Sequence, residues 1–189
     1  MHSNKGTLRI VGGKYRSRRL RVPARPGLRP TPDRVRETLF NWLGQSLEGL
    51  SCLDLFAGSG ALGFEAASRG ATRVVLVEQD RAVVDLLKKT RDQIGASRVE
   101  VVLDDAFAYL KAMQAFDLVF LDPPFRQNAL PTVFKQLKGA PGTRVYVESG
   151  EPFAPGEPWR ELKRARAGQV SYQLFEWRTD DQGGLSRDV

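Results

Sequence analysis

The chain has 189 residues, 41% of them hydrophobic and 27% charged, which suits one main domain with a small appendage. No apolar run reaches the roughly eighteen residues that a membrane-spanning helix needs, and the opening MHSNKGTLRI has no apolar core of the signal-peptide kind. The formal charge of +7 is concentrated: residues 1–36 carry net +10 and the remainder −3. A basic arm on a slightly acidic body is an electrostatic handle for phosphates, so the expected partner is nucleic acid. Cys52 is the one cysteine and His2 the one histidine. That argues against a disulfide framework, a structural zinc and a His-based triad, and leads to the expectation of a cytoplasmic protein that holds no metal.

In chain order, TLRIVGGKYRSRRLRV predicts a β-hairpin of Thr7–Val11 and Lys14–Val22 turning on Gly12-Gly13, with Tyr15, Ser17, Arg19 and Arg21 on one face. PARPGLRP follows as an extended linker. TPDRVRETLFNWLG then opens a helix, with Thr31 as N-cap, Pro32 at the first helical position and Asp33 near the positive dipole end. Its apolar stripe is Val35, Leu39, Trp42 and Leu43, and Gly44 suits its stop.

From residue 51 the short apolar runs CLDLF, RVVLVE, VEVVL, FDLVFLD and RVYVES alternate with helical segments near 61–69, 80–94, 105–114 and 128–138. Apolar strands separated by helices predict a doubly wound α/β fold, a mostly parallel sheet with its ligand crevice at the strands' carboxyl ends. WRELKRARAGQVSYQLFEWR lacks a helical period and predicts an antiparallel hairpin around Gly168. The expected organisation is a basic hairpin and linker over 1–30, a catalytic domain over 31–178 and a disordered tail over 179–189.

Acids fall at successive strand ends: Asp54, Glu78, Asp104 or Asp105, and Asp122. Gly58-Ser59-Gly60-Ala61-Leu62-Gly63 spells G-x-G-x-x-G, and Glu78 is spaced to accept ribose hydroxyls, as in a dinucleotide site. Asp54 argues otherwise. A carboxylate at the mouth of the loop repels a pyrophosphate and favours a ligand carrying an ammonium or sulfonium, as S-adenosylmethionine does. Gly58 and Gly60 then serve the tight turn and close backbone approach. Asp105 can accept from an adenine amino group, with the backbone of Ala106 near the ring.

The second motif is LDPPF. An exocyclic amine conjugated with a purine is a poor nucleophile. Two acceptors aimed at its N–H bonds, the Asp122 carboxylate and the Pro123 carbonyl, free its lone pair, while prolines 123 and 124 bring no competing N–H. Phe125 can stack on a base swung out of its helix. Cys52 lies inside the first strand of the sheet, away from this loop, and suits the core better than a nucleophile's role.

RIVGGKYRSRRLRVP, GLRPTPDRVRETLFNWL, DLFAGSGALGFEAASRGA, VEQD, FLDPPF and VYVES together resemble the RsmD-type 16S ribosomal RNA guanine-N2 methyltransferases, from about residue 8 to residue 177. The resemblance implies a Rossmann-like class I methyltransferase with a seven-stranded sheet, an antiparallel C-terminal hairpin and an N-terminal β-hairpin extension. It implies S-adenosylmethionine held by Asp54, Gly58, Gly60, Glu78 and Asp105, with Thr31 over the methionine end, and the base held by Asp122, Pro123, Pro124 and Phe125. Arg16, Arg18, Arg19 and Arg34 would meet phosphates of 16S rRNA in a 30S subunit or its assembly intermediate, and a monomer is expected. Two departures stand out: the GEPFAPGEP loop is short, and Asp105 is often an amide in the family. Competing readings are methylation of DNA adenine N6 or another rRNA position, an NAD-dependent oxidoreductase, and a noncatalytic RNA-binding assembly factor.

Overall fold

A computed structural model of the chain describes residues 6–23, 31–124 and 128–179. Most of the expected linker, Phe125 and the expected tail from residue 180 onward lie outside the described residues. The main sheet has seven strands, in the order β5-β4-β3-β6-β7-β9-β8. Its parallel part comprises β3 (Ser51–Asp54), β4 (Arg73–Glu78), β5 (Val99–Leu103), β6 (Leu118–Leu121) and β7 (Arg144–Ser149). β9 (Val170–Trp177) then pairs antiparallel between β7 and β8 (Trp159–Ala167). This is the Rossmann-like class I architecture expected from the sequence. The strand order reverses between β3 and β6, and the carboxyl ends on either side of that switch frame the crevice.

Because side chains alternate across each strand, the sheet feeds two cores. One holds Cys52, Leu76, Leu118, Phe120 and Tyr146 against α1 (Asp33–Leu43), α2 (Ala61–Ser68) and α3 (Arg81–Ile94). The other holds Leu53, Val75, Val119, Leu121 and Val147 against α4 (Ala106–Ala112) and α5 (Leu130–Gln136). α1 buries Val35, Leu39 and Leu43 as expected, and also Phe40 and Arg36; Trp42 is only partly covered and stacks on Tyr172. Gly44 closes the helix in the left-handed conformation, its N–H donating to the Phe40 carbonyl.

Two local expectations are corrected. The N-terminal strands are shorter than predicted: β1 (Thr7–Arg9) pairs antiparallel with β2 (Arg19–Arg21), Leu8 opposite Leu20. Gly12-Gly13 is not their turn. Residues 10–18 instead loop out to dock on α2, where the Lys14 N–H donates to the Ser68 carbonyl (2.7 Å) and the Tyr15 N–H to Ser68 Oγ (2.8 Å). Gly13 has φ +75°, and a Cβ there would lie 1.9 Å from the Ser68 carbonyl oxygen, so the glycine serves close approach to the helix. Tyr15 and Ser17 therefore leave the face they were expected to share with Arg19 and Arg21. The second correction is that Thr31 does not cap α1; Pro32 takes that position without a side-chain bond, and the Thr31 hydroxyl is committed elsewhere.

The docked loop is held by a buried ion cluster that the sequence pattern did not reveal. Glu65, on α2 and fully buried, accepts from the Val11 and Gly12 N–H groups at 2.8 Å each. It also pairs with Arg36 Nη1 at 3.1 Å and Arg69 Nε at 2.9 Å. One carboxylate thus ties the basic extension, α1 and α2 together.

Candidate active site

β3 ends in Asp54, and the chain then turns through the glycine loop into α2. Gly60 starts that helix at φ +75°, where an added Cβ would stand 2.7 Å from the Phe64 ring and 2.8 Å from Leu87, so only glycine fits without rearrangement. Asp54 is buried and its Oδ2 accepts the Gly63 N–H at 3.1 Å. Across the loop, Glu78 at the end of β4 accepts the Gly58 N–H at 3.1 Å and the Asp80 N–H at 2.9 Å, which bends the two strand ends around the same opening. At the end of β5, Asp105 caps α4 by accepting from the Phe107 and Ala108 N–H groups, both at 3.0 Å. Asp104 turns back to the Asp105 N–H (2.8 Å). Beside them Leu103 is 42% exposed, an unusual position for a large apolar side chain, while Ala106 is buried in the core.

On the other side of the switch point, β6 runs into Asp122, Pro123 and Pro124. Asp122 is half-buried, Pro123 buried and Pro124 exposed. The parallel register pairs Phe120 with Tyr146 and Leu121 with Val147, so one step further Asp122 stands beside Glu148 of β7. Glu148 is buried, and its Oε1 accepts both the Thr31 hydroxyl (2.9 Å) and the Tyr146 hydroxyl (3.0 Å). Thr31 is thereby drawn from the start of α1 to the crevice. A cleft of about 380 Å³ opens here between Pro123, Asn128, Leu130, Glu148, Glu151 and Phe153. Thr31 also borders a second cleft of about 430 Å³, shared with Arg9 and Arg19 of the extension and with Asp33.

The electrostatics of the crevice are one-sided. Burial, aided by Glu78 and Glu148, pushes the Asp54 carboxyl up to about 7 against the opposing Gly63 hydrogen bond. Asp122 is raised well above the ordinary carboxylate range by burial, then by Glu148 and Asp54. Burial raises Glu148 too, while its two hydroxyl donors pull the other way. Burial and Glu148 keep Tyr146 a neutral donor. Among the described residues, the charges acting on Asp54 and Asp122 are all carboxylates. No cluster of acids, histidines or cysteines among those residues has the disposition to hold a metal. A crevice lined by these carboxylates favours an organic cation, such as a ligand bearing both an ammonium and a sulfonium.

Of the residues singled out in the sequence, Thr31, Asp54, Gly58, Gly60, Glu78, Asp122 and Pro123 frame the crevice, and Asp105 and Ala106 flank it at the end of β5. Arg16, Arg18, Arg19 and Arg34 are all exposed. Phe125 falls outside the described residues. Glu148 and Tyr146 were missed, although the signal was present: RVYVES ends in an acid as the other parallel strands do. Cys52 is fully buried and its thiol is pushed up to about 12, chiefly by burial, consistent with a core residue.

Comparison with known proteins agrees with this geometry. A family model described as Conserved hypothetical protein 95 matches residues 8–176. Ribosomal RNA small subunit methyltransferase D of Escherichia coli is 45% identical over 184 residues, covering 93% of this chain and 92% of that protein. Its namesake from Haemophilus influenzae is 43% identical, covering 91% and 95%. A solved structure of the Escherichia coli protein yhhF superposes with a TM-score of 0.83 at 42% identity, covering 92% of this chain and 99% of that one. The chain belongs to the RsmD-type family of small-subunit ribosomal RNA methyltransferases.

Proposed function

We propose that this protein transfers a methyl group from S-adenosylmethionine to the exocyclic N2 of one guanine of 16S rRNA, within the 30S subunit or its assembly intermediate. The observation that carries the reading is Asp122-Pro123 at the end of β6, with the buried carboxylate Asp54 acting on Asp122 and with Pro123 and Glu148 lining the 380 Å³ cleft. Asp54, Gly58, Gly60 and Glu78 would hold the methyl donor, with the adenine on Leu103 and Asp105 and with Thr31 over the methionine end. When bound, S-adenosylmethionine supplies a methyl group on a sulfonium that departs as a neutral thioether.

The protein's own contribution is positioning and charge. The Asp122 carboxylate and the Pro123 carbonyl accept the two amine hydrogens of N2 and localise its lone pair. Asp122, whose carboxyl favours its proton in this setting, is then suited to take the proton that N2 sheds. Phe125 is assigned the face of the base. Arg16, Arg18, Arg19 and Arg34 on the outer face of the extension and α1 would meet backbone phosphates and set register without reading sequence. Residues 1–30 would act as the RNA-binding unit and 31–178 as the catalytic one. No helix among the described residues is long and apolar enough to cross a membrane, and we place the protein in the cytoplasm as a monomer.

The test offers labelled S-adenosylmethionine to 30S subunits, naked 16S rRNA and DNA, followed by mapping of the modified base. Transfer to a 16S guanine N2 is expected. Transfer only to adenine or to DNA would refute the substrate, and tight NAD binding without S-adenosylhomocysteine binding would refute the enzyme class.

A further inference from the structure

We propose that Glu148 is the residue that reads the target base as guanine, accepting its N1–H while Asp122 and Pro123 hold the adjacent N2 amine. This rests on the guanine reading above. Three observations support it. First, the β6–β7 register sets Glu148 beside Asp122, and Glu148 is the foremost charge acting on Asp122. Second, Thr31 and Tyr146 both donate to Oε1, which fixes the carboxylate plane. Third, Oε2 takes no hydrogen bond among the described residues and is not one of their sealed-off unsatisfied atoms, while the residue lines the cleft with Pro123. Glu148 therefore presents one anchored oxygen and one acceptor available to the cleft.

The Watson–Crick edge of guanine carries two neighbouring donors, N1–H and the N2 amine. Two carboxylates side by side match it. Adenine has an amine next to an N1 lone pair, so a base clamped by its amine at Asp122 would set that lone pair against the Glu148 acceptor. A site built around a substrate N–H rejects the analogue that lacks it far more strongly than an apolar pocket rejects a missing methyl group, because its own buried acceptor is left unpaired. Thr31 and Tyr146 are then positioning residues, acting through Glu148.

2-Aminopurine tests the effect: it keeps the N2 amine, replaces N1–H with a lone pair and also lacks the 6-oxygen, so the response of the ratio to Glu148→Gln is what reports on N1. The substrates are 30S subunits reconstituted with ligated 16S rRNA carrying guanosine or 2-aminopurine riboside at the position that the wild-type enzyme methylates. The wild type should favour guanosine by about 100-fold or more in kcat/KM. Glu148→Gln keeps an oxygen for Thr31 and Tyr146 and offers an amide donor to the cleft, so the preference should narrow at least about tenfold. Thr31→Val and Tyr146→Phe should slow both substrates while leaving their ratio within about threefold, the mark of support rather than recognition. A wild-type ratio near unity would overturn the assignment, as would an unchanged ratio in Glu148→Gln. A loss of S-adenosylhomocysteine affinity in Glu148→Gln with the ratio intact would make Glu148 a cofactor ligand and also overturn it. If the wild type transfers no methyl to guanosine, the underlying reading fails and this assignment falls with it; transfer that ignores N1 sinks this assignment alone.

Discussion

Replacing Asp54 with asparagine should stabilise the protein in the absence of its cofactor and weaken cofactor binding. The carboxyl is 2% exposed and moves from an ordinary 3.8 to about 7. At this depth solvent screening does little to dilute the effect. Its folded-state value lies above its unfolded one, so between those values the folded state binds more protons and stability falls as pH rises. The loss is nearly absent at about pH 4, about 2 kcal/mol at pH 5.5 and about 4 kcal/mol at pH 8. Asparagine does not titrate and can still accept the Gly63 N–H, so Asp54→Asn should escape this loss. For a domain of this size, 4 kcal/mol corresponds to a melting shift of roughly 10 °C. Thermal denaturation of both proteins without cofactor, from pH 5 to pH 8, should show the variant ahead at pH 8 and its lead shrinking toward pH 5. Calorimetric titration at pH 7.5 should show the opposite ranking for S-adenosylmethionine. A variant that melts at or below the wild type at pH 8, or whose advantage is independent of pH, would refute the like-charge account of the crevice.

Asp122→Ala should lower kcat by about a thousandfold while changing the dissociation constant for S-adenosylhomocysteine little, measured by single-turnover transfer and calorimetry; retained turnover removes Asp122 from the chemistry. Because a bound cation favours ionised Asp54 and Asp122, S-adenosylmethionine binding near pH 7 should release protons, read as a dependence of binding enthalpy on the ionisation enthalpy of the buffer; proton uptake contradicts the assignment. Substituting Arg16, Arg18 and Arg19 together should weaken RNA binding across sequences and reduce the slope of log affinity against log salt by about 2, in filter-binding titrations; an unchanged slope places the phosphates elsewhere. Glu65→Ala leaves Arg36 and Arg69 buried without their shared partner and should cost about 3–5 kcal/mol in urea unfolding, with faster tryptic cleavage in the 14–19 loop; unaltered cleavage would mean that the extension docks without it.

The elements with a clean period were legible in the sequence. RVVLVE, VEVVL and RVYVES coincide with β4, β5 and β7, and the C-terminal hairpin turns at Gly168 as expected. Asp54, Glu78 and Asp122 were legible for a topological reason: a parallel sheet presents its strand ends to one crevice, so an acid closing an apolar run belongs there. Errors arose where local chemistry was overridden by a distant partner. Gly12-Gly13 has the composition of a hairpin turn, but its conformational freedom is spent against Ser68, 55 residues along the chain from Gly13. Thr31 has the composition of an N-cap, but a buried acceptor on β7, 117 positions away, takes its hydroxyl. Arg36 and Glu65 sit on helix faces that a charge pattern assigns to solvent, and only the docking of three segments makes them interior.

The glycine loop shows how one motif divides between two chemistries. G-x-G-x-x-G supplies a tight turn and a helix start in both, and in a dinucleotide site the backbone N–H groups beyond the turn are left for pyrophosphate. Here two of those donors are already committed to carboxylates, Gly58 N–H to Glu78 and Gly63 N–H to Asp54. Those two donors are spent within the loop, and among the described residues the charges acting on Asp54 are carboxylates. A phosphate would have to displace those bonds and then meet Asp54 and Glu148 nearby, whereas a cation finds the acids poised and relieves their mutual repulsion. The same relief favours the ionised form of Asp122, the group proposed above to accept from the substrate amine. On the proposed assignment, a cation bound beside Asp54 would therefore prepare Asp122 for the substrate amine through charge.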